Sequence, residues 1–112
     1  MTKILNSIIL TVQPTGVNWR LGLSAEDSVR YFSHMESVRF ILTKQLIVEC
    51  NAACGTSKKK KAFDFNKMQL SEWLTCNNFH IYPKRKPTRL IFKFALNSKG
   101  KVLTFDKMKT SP

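Results

Sequence analysis

Apolar and polar positions alternate through much of this chain, and a two-residue period predicts strands whose one face is buried. Ile4 to Val12 reads as a strand closed by the turn signal Pro14-Thr15-Gly16, and Val17 to Leu23 alternates behind it, giving a first hairpin. The clearest hairpin is C-terminal. Leu90, Phe92, Phe94 and Leu96 share one face of a strand, while Arg89, Ile91, Lys93 and Ala95 share the other. Asn97-Ser98-Lys99-Gly100 then turns the chain into Lys101 to Phe105. Val38 to Ile41, Leu46 to Val48, Ala62 to Phe65 and Phe79 to Tyr82 are shorter strand candidates, rich in β-branched and aromatic residues.

Two segments follow the helical period instead. Ser24 offers an N-cap with Glu26 and Asp27 in the first turn, and Tyr31, Met35, Val38 and Leu42 recur at helical spacing, which predicts a helix over 24–36. Asn66 can cap a second helix that carries Met68, Trp73 and Leu74 inward. Asn77-Asn78 suits its C-terminal end, because Asn tolerates left-handed backbone angles. The expected fold is therefore α+β: a mainly antiparallel sheet with two α-helices on one face, ending in a basic hairpin. Residues 1–109 form a single domain and 110–112 a frayed tail.

Composition supports a compact chain. The 112 residues are 43% hydrophobic and include 8 Phe and 2 Trp, enough for a core without staples, and Trp19 and Trp73 are expected in it. No stretch approaches the roughly 20 apolar residues that span a bilayer. Asn6, Ser7 and Thr11 interrupt the N-terminal apolar run, which reads as a strand and not as a signal peptide. Cys50, Cys54 and Cys76 are an odd, sparse set, which predicts reduced thiols and an intracellular, cytoplasmic protein.

Charge changes the picture most. The net charge is +12, and it is unevenly spread. Residues 1–57 hold five basic and four acidic groups, whereas the rest hold fourteen basic groups against Asp64, Glu72 and Asp106, a net of +11. Three segments contribute eleven of these basic groups: Lys58, Lys59, Lys60 and Lys61; Lys84, Arg85 and Lys86; and Arg89, Lys93, Lys99 and Lys101 of the terminal hairpin. With Tyr82 beside the second run, this pattern of cations and an aromatic face is what phosphate contact and base stacking require. Pro83-Lys84-Arg85-Lys86-Pro87 also resembles a nuclear localisation signal, which has force if the source is eukaryotic or a virus of eukaryotes.

Other chemistries have thinner support. Cys50, Cys54, Cys76 and His80 supply four ligands in two pairs, as a structural zinc site needs, but the spacing is not that of the common knuckle. There is no phosphate-binding Gly-rich loop, nucleophile elbow or HExxH. His34 and His80 could serve a metal-independent, toxin-like ribonuclease, and Glu49 and Asp64 are the only carboxylate pair on neighbouring candidate strands. The expected function is non-enzymatic nucleic-acid binding, RNA or DNA, without a cofactor. An acidic protein partner is the alternative and the ribonuclease a second one.

Overall fold

A computed structural model describes residues 3–24, 31–32, 36–54, 63–83, 85–98 and 100–109. More than half of them lie in strands: β1 (Lys3–Thr15), β2 (Asn18–Leu23), β3 (Ser37–Ile41), β4 (Ile47–Asn51), β5 (Ala53–Cys54), β6 (Phe63–Phe65), β7 (Arg89–Asn97) and β8 (Gly100–Met108). The described residues contain one helix, α1 (Met68–Cys76). The α+β architecture with two helices on one face is thus corrected to a mostly β domain built on one mixed sheet. The expected helix over 24–36 lies outside the described residues except for Ser24, Tyr31, Phe32 and Glu36.

The sheet runs in the order β4-β3-β8-β7-β1-β2-β6-β5, antiparallel throughout except for the parallel pair β3–β8. β4 and β5 stand at its opposite ends, yet only Ala52 separates them in sequence. The sheet therefore curls until its two ends meet in one chain segment. Ala52 is fully buried at that junction and donates its N–H to the Glu36 carbonyl at 2.8 Å. Lys67, just after β6, donates to the Glu49 carbonyl of β4 at 2.6 Å, drawing the same two ends together.

Curling explains why a second layer of helices is not needed. Inward residues of every side of the sheet meet one another: Leu10 and Val12 of β1, Leu21 of β2, Val38 and Phe40 of β3, Phe65 of β6, Leu90 and Phe92 of β7 and Leu103 of β8 are all fully buried. Aromatic rings fill the interior edge-on, with Phe40 packed 4.9 Å from Phe65 and 5.6 Å from Phe92.

Both expected hairpins form. β1 and β2 turn at Gly16, whose φ of 64° needs a residue without a Cβ penalty, and β7 and β8 turn between Asn97 and Gly100. The inward face of β7 is as the alternation predicts up to Phe94. Beyond it Ala95 is buried, while Leu96 is 41% exposed at the strand's far end, where it pairs with Lys3 and Lys101. Phe79 to Tyr82 is not a strand; it is the irregular segment that leads the chain away from α1.

α1 packs against β2 through Leu70, Ser71, Trp73 and Leu74. Met68 is exposed, not inward, and Lys67 instead of Asn66 occupies the N-cap position without a side-chain cap bond. The helix ends as the Asn pair predicts. Asn78 sits at φ 59°, its N–H reaches the Thr75 carbonyl, and Phe79 N–H reaches the Leu74 carbonyl. That reversal lays Phe79 against Trp73 at 5.4 Å, so both rings plug one end of the curled sheet with Phe105.

Candidate nucleic-acid interface

The segment following this reversal builds a concavity on the surface. Ile81 to Thr88 crosses the end of the sheet and meets the start of β7 and the end of β8. Between them lies an open cleft of about 490 Å3, lined by Ile81, Tyr82, Pro83, Arg85, Lys86, Pro87, Thr88, Arg89, Met108 and Lys109.

Three local features shape it. The Lys86 N–H closes a turn onto the Pro83 carbonyl at 3.0 Å, with Arg85 held in the left-handed region at φ 71°. The chain then joins the sheet: Val12 N–H donates to the Thr88 carbonyl, and Lys109 N–H donates to the Arg89 carbonyl at 2.8 Å. Finally, the β7–β8 register shifts, pairing Phe92 with Phe105 but Ile91 with Lys107, so Asp106 is an extra residue in β8. The bulge keeps Lys107 opposite Ile91 and Met108 opposite Leu90, carrying the strand on to the cleft.

Trp19 supports the floor. Its ring lies 5.9 Å from Tyr82, edge-on, and 5.7 Å from His80, and its backbone N–H donates to the Ser71 hydroxyl at 2.9 Å. Tyr82 is thus half-buried with its position fixed, while Ile81 and Met108 stand 67% and 47% exposed on the cleft's walls.

The rim is cationic. Arg85, Lys86, Arg89 and Lys109 are all exposed, and among the described residues none of them has an ion pair. Residues 83–109 carry nine Lys and Arg against Asp106 alone. From Arg89 the charge continues along the outer face of β7 to Lys93, four residues or roughly 13 Å further on. Cross-strand neighbours on that face are Thr11 beside Arg89, Ile9 and Lys107 beside Ile91, and Ser7 and Thr104 beside Lys93.

Of the residues expected to contact nucleic acid, Tyr82, Arg85, Lys86 and Arg89 come together at the cleft and Lys93 extends it. Lys101 is engaged elsewhere: its ammonium donates to Glu36 Oε2 at 2.8 Å and to the Tyr31 carbonyl at 2.7 Å, over the Phe32 ring. Lys58, Lys59, Lys60, Lys61, Lys84 and Lys99 lie outside the described residues. The sequence reading missed Ile81, Pro83, Pro87, Thr88, Met108 and Lys109 as cleft residues. It ended the last strand at Phe105, because the extra residue Asp106 interrupts the alternation that would have led to Lys107 and Met108.

The zinc set does not assemble among the described residues. Cys50 points into the core, where its thiol donates to the Asn51 carbonyl, and Cys76 is exposed at the end of α1. No three His, Cys, Asp or Glu side chains gather there, and the side chain of Cys54 lies outside the description. Burial pushes the Cys50 thiol up from its ordinary pKa, offset in part by the Lys67 ammonium and by the Asn66 and Asn51 backbone. For the ribonuclease pair, His34 lies outside the described residues and His80 packs against Trp19 with its ring tilted by 59°. Glu49 is paired with Arg39 at 2.9 Å, and the Asp64 side chain is outside the description. No described helix is long and apolar enough to cross a membrane.

The chain matches no known protein-family profile, no curated protein and no solved structure.

Proposed function

We propose that this domain binds nucleic acid without transforming it. The observation that carries the reading is the group of exposed cations lining the cleft, Arg85, Lys86, Arg89 and Lys109, which have no ion pair among the described residues. Like charges gathered this closely repel one another, and an anionic ligand relieves that repulsion while releasing its own counterions. Phosphate chains supply negative charge at the required density, and the row continuing through Lys93 suits an extended ligand better than a single small anion.

Binding without catalysis is the better-supported form. The cleft's lining has no carboxylate, imidazole or thiol among the described residues, so the groups that abstract protons or hold metals are not where the cations are. The ion pairs among the described residues, Arg39 with Glu49 and Lys101 with Glu36, lie away from this rim.

The test is fluorescence anisotropy of labelled oligonucleotides at several salt concentrations, with the oligomers inspected for cleavage afterwards. The expected result is intact oligomer, binding near physiological salt, and log affinity falling linearly with log salt. Absence of binding to every oligomer would refute the reading and assign the basic face to an acidic protein partner. Cleavage would move the domain to the ribonucleases.

A further inference from the structure

The shape of the cleft narrows the ligand class. We propose that it takes an unpaired base of a single-stranded polynucleotide, with the flanking phosphates on Arg85, Lys86, Arg89 and Lys109. This rests on the nucleic-acid reading above.

A duplex presents phosphates outward and hides the faces of its bases, so a flat or convex basic surface is sufficient to bind it. Here the cations instead border a concavity of about 490 Å3, within the roughly 300–1,000 Å3 usual for sites that enclose small molecules. Half of its lining residues are apolar or aromatic: Ile81, Tyr82, Pro83, Pro87 and Met108. Such a lining does nothing for a phosphate. It suits the face of a base, for which stacking on an aromatic ring is worth about 1–3 kcal/mol.

The site is also held in shape before any ligand arrives. Trp19 braces Tyr82 at 5.9 Å, the Lys86-to-Pro83 hydrogen bond closes the loop, and prolines fix φ on both sides of the turn. Arg85 at φ 71° is a backbone position that a non-glycine residue keeps only where its surroundings impose it, as at ligand clamps. Preorganisation of this kind reduces the ordering cost of binding. Two large apolar side chains, Ile81 and Met108, remain exposed on the walls, where a base would cover them.

The experiment compares four labelled 12-mers at physiological salt: single-stranded RNA, single-stranded DNA and the matching RNA and DNA duplexes. It uses the full chain and an Ile81→Ser/Met108→Ser variant. Both side chains are exposed, so the variant is expected to fold, which its circular dichroism and melting temperature check. Single strands should bind at least about tenfold tighter than duplexes. The variant should lose about tenfold on single strands, with duplex affinity and salt slope unchanged. Comparison of the two single strands tells RNA from DNA. Equal or tighter duplex binding, or a folded variant with undiminished single-strand affinity, would overturn the proposal and leave the nucleic-acid reading standing. No binding to any 12-mer would overturn both.

Discussion

The backbone N–H of Trp19 donates to the hydroxyl of Ser71 at 2.9 Å, across 52 positions of sequence. Ser71 is the one buried polar side chain among the described residues, and this bond ties α1 to β2 beneath the cleft floor. Ser71→Ala removes the acceptor and leaves a part-buried N–H unsatisfied, at a cost of about 1–2 kcal/mol. Denaturant unfolding should show this loss. Oligonucleotide affinity should also fall, because Trp19 braces Tyr82.

Charge reversal at Arg85 and Arg89 separates affinity from stability. Both are exposed and without an ion pair among the described residues, so Arg85→Glu/Arg89→Glu should leave the melting temperature within a few degrees of the parent. On single strands the salt slope should flatten by about 1.4, the value for two phosphate contacts at about 0.7 each. An unchanged slope would remove these two arginines from the interface.

Lys101 should behave in the opposite way. It is 24% exposed, its ion-pair partner Glu36 is 29% exposed, and it also holds the Tyr31 carbonyl. Lys101→Met should therefore destabilise the fold by about 1–2 kcal/mol, the partial exposure limiting the Coulomb contribution. Affinity of the folded fraction should stay within twofold of the parent. A large loss of affinity at full folding would return Lys101 to the interface.

Cys50 gives a pH signature. Its thiol pKa is raised in the folded state, chiefly by burial, so the folded protein keeps a proton that the unfolded chain has already released. The associated stability is fully present below the ordinary thiol pKa, about 8.5, and is lost as pH rises toward the folded value. The difference in stability between the parent and Cys50→Ala should accordingly shrink above about pH 8.5. Alkylation mapped by mass spectrometry should modify exposed Cys76 readily and Cys50 only on unfolding.

The strands were legible because their period was. Leu90, Phe92 and Phe94 are inward as their alternation requires, and the β7–β8 turn falls on the residues with turn chemistry. α1 was legible in inward Trp73 and Leu74 and in the left-handed Asn78, but not in its start, where Lys67 takes the N-cap and Met68 is exposed. The sheet's closure was not. Ala52 carries no turn or breaker signal, so nothing local reveals that the residues on either side of it join opposite ends of the sheet. That closure removed the need for the helical layer that the α+β expectation supplied. At the site, the cations could be read as a group, but their arrangement around a cavity depends on Ile81 and Met108, which are 27 positions apart and touch no common sequence pattern. The bulge at Asp106 concealed the second of them.

The strand order also governs how the chain reaches this state. β1-β2-β6-β5 and β4-β3 form a continuous strip through Ala52, and the β7–β8 hairpin fills the gap between β1 and β3. The hairpin that bears Arg89 and Lys93 is also the last of this sheet's strand pairs in chain order. Until it arrives, both margins of the strip have unpaired backbone, the condition that invites pairing with another chain. Its pairings with β1 span most of the sequence, the kind of non-local contact that makes folding slow. The terminal hairpin therefore acts as a keystone. A chain released without it would expose two sticky margins, and Arg89, Lys93 and Lys109 would be missing from the same molecules.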